Sequence, residues 1–297
     1  MDGRHVIGVD LGGTKILAGL VDRNGRVERR RETPTPQESQ EALLAGLDAA
    51  VEELLDEDVA AIGFGLPSPI DQKNGRALQG VNIPLTDIDF RAAMAERFRL
   101  PVAIENDANA AAYAEFHFGA ARDVDRMVML TLGTGCGGGA VIDGHLYRGW
   151  AEFGHMVIVF DGLPCQGSCT GRGHLEPYVT GVAATKLAQE EFGPAVDAHR
   201  LVRLAAEGEP RAREILASMG RYLGAGIGTL VNIFNPELVV IGGGFAAAGD
   251  FMLDPAREIV SREALANAGD DLPIVRAELG TAAGLIGAAL VAFDGIT

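Results

Sequence analysis

The sequence predicts an α/β protein made of two duplicated domains that flank a cleft, and three observations carry that prediction. The chain has 297 residues, beyond the size at which a single core serves well, so two domains are expected. Apolar strand-like runs alternate with helical ones, as in a mixed sheet covered by helices. One plan also occurs twice, over 6–25 and over 127–144: a strand, a glycine-threonine turn, a returning strand and an Asp/Asn-Gly hairpin.

Taken in order, His5–Leu11 reads as a buried strand, Gly12, Gly13 and Thr14 as a tight turn, and 15–21 as the returning strand. Asp22, Arg23, Asn24 and Gly25 signal a hairpin into a third strand, so the chain opens as an antiparallel meander. Thr35 and Pro36 offer a helix cap and a first-turn proline, and Leu43, Leu44, Leu47, Val51 and Leu54 then recur along one helical face. Val59–Leu66 and 102–105 follow as strands. Met127–Leu132 is a second apolar strand, ending in a glycine-rich turn over 133–138 and returning through 140–144. The pattern over 180–234 is helical, with Ile215, Met219, Leu223, Ile227 and Leu230 on one stripe. Val239, Val240 and Ile241 form a buried strand opening into Gly242, Gly243 and Gly244, and 282–293 is a closing apolar helix. The expected division is a smaller domain of 1–118 completed by 282–297, and a larger one over 119–281.

Composition excludes several classes of function. Hydrophobic residues make up 47% and charged residues 22%, the balance of a globular protein rather than a disordered one. Acidic residues outnumber basic ones 41 to 25, and the net charge of −16 repels nucleic acid and anionic membranes. The basic cluster Arg29, Arg30 and Arg31 is too small to reverse that. No charged-then-apolar leader opens the chain, and no apolar run approaches about 20 residues. With three cysteines, two of them close together, a reducing compartment is expected, hence the cytoplasm.

Three glycine-rich turns end strands, at 10–14, 133–138 and 242–244. Such turns let backbone N–H groups approach an anion, because no Cβ obstructs them. None matches GxxxxGK[ST], and no GxGxxG opens a helix in a parallel unit, so neither a P-loop nor a dinucleotide fold is expected. A single glycine turn would be ordinary hairpin chemistry; the ordered set, with Asp10 poised to meet a metal, points to phosphate. Asp107, between a short strand and an alanine-rich helix, suits a carboxylate that receives a hydroxyl proton, or else a simple N-cap. His155, Cys165, Cys169 and His174 are the ligand types of a tetrahedral structural zinc, or else an incidental grouping. Glu152 and Glu176 would otherwise be solvated carboxylates. Cys136 reads as a small buried residue.

The run "IGVDLGGTKILAGLVDRNG" resembles the first phosphate motif of the sugar kinases in the actin-like ATPase superfamily, "TLGTGCGGG" the second, and "VVIGGG" the adenosine motif. "ENDANAAAYAE" and "GHMVIVFDGLPCQGSCTGRGHLE" are similar to the sugar and zinc motifs of the ROK family. The resemblance implies two duplicated actin-like (RNase H-like) ATPase domains and ATP-dependent phosphorylation of a hexose, with glucose yielding glucose 6-phosphate. Fructose, mannose, N-acetylglucosamine and N-acetylmannosamine are alternative acceptors. A sugar-responsive regulator is a further alternative, although only about four residues precede the first strand, where such regulators carry a helix-turn-helix.

By the same resemblance, Asp107 is the catalytic base, and Ser68, Asn82, Asn106, Glu152, His155 and Glu176 bind sugar. Gly12, Gly13, Thr14, Lys15, Gly133, Thr134 and Gly135 serve the ATP phosphates, Gly242, Gly243 and Gly244 the adenosine, and Asp10 the Mg²⁺. His155, Cys165, Cys169 and His174 hold the structural Zn²⁺, and a homodimer is implied. The sequence departs from the family's CxCGxxGCxE, since Cys165 stands two residues early and His174 replaces the last cysteine. Ala151 and Ser68 also replace glycines, and Trp150 is an unusual neighbour.

Overall fold

The structure, a computed structural model, describes residues 5–80, 82–167, 169–265 and 268–296. The expectation made for the amino terminus falls on residues 1–4, which lie outside the described residues. The chain divides into two compact units, one of Met1–Arg122, Leu146–Trp150 and Thr281–Thr297, the other of Asp123–His145 and Ala151–Gly280.

The first unit opens with the expected meander of β1 (His5–Leu11), β2 (Lys15–Asp22) and β3 (Val27–Pro34). Its β2–β3 hairpin is fixed locally: Asp22 Oδ1 accepts from the Asn24 and Arg26 N–H groups, each at 2.9 Å, and Gly25 takes φ 74°. There follow α1 (Gln40–Glu52), β4 (Val59–Leu66), β5 (Ile70–Asp71), β6 (Arg76–Gln79), β7 (Thr86–Ile88), α2 (Phe90–Phe98), β8 (Val102–Asn106) and α3 (Asp107–Phe118). The main sheet has the order β3-β2-β1-β4-β8, with β4 and β8 parallel to β1. A small sheet β5-β6-β7 is too short to leave a periodic signal. Arg29 and Arg31 pair with Asp56 and Glu53, so the basic cluster is a solvated strand face.

One cap differs from expectation. Helix α1 starts after Ser39, whose side chain accepts from the Ala42 N–H at 3.1 Å. Thr35 is not a cap; it is buried and bonded to the Gly12–Thr14 turn, because that distant partner outcompetes the local helix.

The last helix, Ala283–Ile296, packs on β1, β4, β8 and α3. Its approach requires glycine: a methyl group on Gly8 would lie 2.1 Å from the Leu285 carbonyl oxygen, and one on Gly63 1.8 Å from that of Ala288.

The second unit contains β9 (Met127–Leu132), β10 (Cys136–Ile142), β11 (His145–Leu146), α4 (Glu176–Val179), α5 (Gly181–Phe192), α6 (Ala198–Ala206), α7 (Pro210–Phe234), β12 (Leu238–Gly242), α8 (Asp250–Glu263) and β13 (Ile274–Arg276). Its sheet has the order β11-β10-β9-β12-β13, with β9–β10 antiparallel and both β9–β12 and β12–β13 parallel. The strand order of the first unit is thus repeated, as the duplicated motif predicts. The glycine-rich turn is shorter than read: Leu132 pairs with Cys136, and Gly137, Gly138 and Gly139 lie within β10. Their pairing with β9 makes them strand residues, and at Gly138 close packing requires glycine, since a methyl would meet the Phe153 ring at 2.5 Å. Met219, Leu223, Ile227 and Leu230 of α7 are buried and Ile215 partly so.

Candidate functional site

In the first unit, chemistry gathers where β8 runs into α3. Asn106 is the N-cap: its Oδ1 accepts from the N–H groups of Ala108 at 3.0 Å and Asn109 at 3.1 Å. Asp107 is therefore not the cap, and its carboxylate remains available for chemistry while accepting from the Ala108 N–H at 2.8 Å. Burial pushes the Asp107 carboxyl up from its ordinary value, opposed by the N–H groups of Ala108 and of Asp107 itself.

Beneath this corner lies a residue that sequence reasoning missed. Glu105 is 1% exposed; its carboxylate accepts from the Asn106 N–H at 3.0 Å, Asn109 Nδ2 at 3.2 Å and Gln72 Nε2 at 2.9 Å, with Arg148 3.8 Å away. Burial raises its pKa, with the Asn106 N–H foremost among the opposing groups. A carboxylate ending the apolar strand run before Asn106 was the available signal. Asn109 Nδ2 also donates to the Gly149 carbonyl at 3.3 Å, tying the 146–150 segment to the same corner.

Asp10, the penultimate residue of β1, pairs in register with Gly65. Its carboxyl is pushed up to about 7, first by burial and then by the charge of Asp107, with Lys15 opposing. Room for it comes from the last helix, since a methyl on Gly284 would lie 2.6 Å from the Asp10 carboxylate. The adjoining turn is clipped through its carbonyls: Thr35 Oγ1 donates to Gly12 at 2.7 Å, Gln37 Nε2 to Gly13 at 2.6 Å, and the Thr35 N–H to Thr14 at 3.0 Å. Thr35 and Gln37 lie too far along the chain from that turn for any local pattern to reveal them.

Of the other first-unit residues, Asn82 sits against Gly13, whose added methyl would touch Asn82 Cβ at 3.5 Å, and holds φ 58°. Ser68 is buried with its hydroxyl engaged on the main chain, donating to Pro69 O at 3.0 Å and accepting from the Gln79 N–H at 3.2 Å. Lys15 Nζ is on the surface, paired with Glu32 at 2.9 Å.

In the second unit, Gly133, Thr134 and Gly135 close the β9–β10 hairpin, with the Gly133 N–H donating to Gly135 O at 2.9 Å. Gly243 lies against the end of β9 at φ 82°, where a methyl would be 2.2 Å from the Leu132 carbonyl oxygen, so Gly242, Gly243 and Gly244 adjoin the same turn. Glu152 Oε2 is 3.8 Å from His155 Nδ1. Glu176 Oε2 accepts from the Cys136 N–H at 2.8 Å. Cys136 is buried, and that burial pushes its thiol far up, with Glu176 and Glu152 adding to the effect; it is inert.

His155, Cys165, Cys169 and His174 converge, with one donor atom from each within 4.8 Å of the others. Cys169 Sγ is 3.7 Å from His174 Nδ1, and the His155 and His174 rings are 5.1 Å apart. Two bridges, Val157 with His174 and Pro164 with Arg172, shape the loop. Burial and the adjacent Cys169 raise Cys165 to about 11, the reverse of what a bound cation would do. Two sulfurs and two imidazoles so disposed fit the donor set of a tetrahedral zinc, whose bonds are about 2.0–2.3 Å. His174 joins the cluster despite standing where the family pattern has cysteine.

The profile of the ROK family matches residues 6–294. The chain belongs to the ROK family. Among ROK relatives, it is 33% identical over 306 residues to a glucokinase of Streptomyces coelicolor, covering 95% of this chain and 96% of the relative. A ROK family glucokinase from Streptomyces griseus, solved in complex with glucose and AMPPNP, superposes with a TM-score of 0.86 at 34% identity, covering 98% of this chain and all of that one. The xylose repressor of Bacillus subtilis is 30% identical over 98% of this chain and 77% of its own length. The repeated sheets are accordingly the two halves of the actin-like ROK fold.

Proposed function

We propose that this ROK protein is an ATP-dependent hexose kinase that phosphorylates D-glucose on its primary hydroxyl. Asp107 carries the proposal: a carboxylate released from capping by Asn106, with a raised pKa suited to a general base. Full-length likeness to glucokinases, one solved with glucose and a nucleotide analogue, supports both the acceptor and the donor.

In this reading the Asn106 side-chain amide and the Glu152, His155 and Glu176 side chains hold sugar hydroxyls, with Asn82 and the Ser68 loop at its edge. Asp107 accepts the proton of the hydroxyl as that oxygen attacks the γ-phosphorus and the bond from phosphorus to the β–γ bridging oxygen breaks, releasing ADP. The turns at Gly12, Gly13 and Thr14 and at Gly133, Thr134 and Gly135 receive the phosphates, with Lys15 in support, and Gly242, Gly243 and Gly244 the adenosine. Asp10 orients the Mg²⁺ of the Mg²⁺-ATP substrate, which neutralises phosphate charge. A zinc held by His155, Cys165, Cys169 and His174 would supply rigidity to the loop carrying His155 and Glu176. We assign the protein to the cytoplasm and expect a homodimer, to be checked by light scattering.

A coupled assay across glucose, fructose, mannose, N-acetylglucosamine and N-acetylmannosamine tests the reading. Glucose should give the highest kcat/KM. Preference for another sugar would move the acceptor, and no sugar-dependent ADP release with any of them would remove the kinase.

A further inference from the structure

The strongest unassigned feature lies on the second unit's glycine turn. That turn has three residues between paired Leu132 and Cys136, and it is gripped at both ends by one short segment, 176–181. At one end Glu176 Oε2 accepts from the Cys136 N–H at 2.8 Å. At the other, the Gly181 N–H donates to the Gly133 carbonyl at 2.9 Å. Between them Gly135 is packed against the carboxylate, since an added methyl would lie 2.8 Å from Glu176 Oε2.

The gripping segment is itself anchored. Thr180 is fully buried and caps α5 by accepting from the Ala183 N–H at 3.3 Å. Its hydroxyl also accepts from Nε2 of Gln166, which lies between Cys165 and Cys169, at 2.9 Å. Glu176 follows His174 by two residues at the start of α4. A main-chain N–H bonded to a carboxylate is about twice as strong as a neutral pair, and one carboxylate has a second oxygen for a ligand.

We propose that Glu176 is a positioning residue for the nucleotide: one carboxylate oxygen fixes the Gly133–Gly135 turn through the Cys136 N–H, while the other meets the sugar. The inference rests on the kinase reading above and adds to it a physical link between acceptor and phosphate turn. A carboxylate ordered by a sugar hydroxyl holds the turn more firmly, so sugar and nucleotide assist each other's binding.

The test is calorimetric binding of Mg²⁺-AMPPNP, without sugar, to the full chain and to Glu176→Ala, Glu176→Asp and Glu176→Gln, with thermal unfolding as the check on folding. Glu176→Ala and Glu176→Asp, which lose or shorten the acceptor, should weaken the nucleotide about ten- to a hundredfold. Glu176→Gln keeps an oxygen for the Cys136 N–H and should stay within about threefold of the natural protein. Should Glu176→Ala fail to fold, Glu176→Asp and Glu176→Gln carry the comparison. Nucleotide affinity unchanged in Glu176→Asp or Glu176→Ala while glucose affinity falls would make Glu176 a sugar contact alone and overturn the proposal. Equal loss in Glu176→Gln and Glu176→Asp would do the same. A natural protein that binds neither AMPPNP nor glucose would instead sink the kinase reading.

Discussion

The two sheets share a strand order and differ in one transverse row. In the first unit the row runs Gly19, Gly8, Gly63, Ala103; in the second the matching row is Gly139, Met129, Val240, Val275. The small residues of the first let the last helix lie backbone against sheet, with Gly284 against Asp10 and Gly287 against the Ala110 carbonyl. In the second, Met129 and Val240 fill that row with buried side chains instead. Two residues further along, Asp10 in the first unit corresponds to Thr131 in the second, by the same registers. Duplication thus supplied one scaffold, and divergence drew buried Glu105 and partly buried Asp10 and Asp107 into the tightly packed half and the sulfur-imidazole cluster into the other.

The largest expected effect tests where the chemistry lies. Replacing Asp107 by Asn should lower kcat at least about a hundredfold with glucose binding retained, measured by rapid-quench turnover and calorimetry. A change of a few fold would move the base elsewhere.

Next comes the packing contrast. Gly63→Ala should cost about 1–3 kcal/mol or more by overpacking, read by denaturant unfolding, because the methyl group meets helix backbone that cannot swing aside. Tolerance of alanine there would mean the last helix is not seated as described.

A smaller effect sharpens the electrostatic side. Asp10 is raised to about 7, above its ordinary 3.8, so the folded protein binds the proton more tightly than the unfolded chain. Its contribution to stability is present below about pH 4 and is lost as pH rises to about 7, staying lost above. Asp10→Asn should therefore raise the melting temperature of the ligand-free protein at pH 8 and raise it far less at about pH 4. Equal shifts at both values would contradict a carboxyl held above its ordinary range.

In the second unit, protein purified without chelator should carry close to one zinc per chain by elemental analysis, and Cys169→Ser should lose it. Full zinc content in that variant would exclude the cluster as the binding site.

Much of this comparison was legible in the sequence, and the missing parts share a cause. The repeated strand-turn-strand plan and β4, β9 and β12 come from apolar runs with glycine at their ends, a signal that local chemistry writes. The convergence of His155, Cys165, Cys169 and His174 was also legible, because ligand types bunch within one loop. Thr35 was misread as a cap because its partner is the Gly12 carbonyl, far away in sequence. Glu105 acquires its Gln72 partner and Glu176 its Cys136 N–H only through tertiary contacts, and the over-long turn at 133–138 hid the strand glycines Gly137 and Gly138, which the β9 register demands.

The account's central claim is tested most directly by phosphorus NMR of the product formed from glucose and Mg²⁺-ATP. It predicts a phosphate ester on the primary hydroxyl, formed one for one with ADP. Inorganic phosphate as the sole product, or no turnover together with sequence-specific DNA binding, would contradict it.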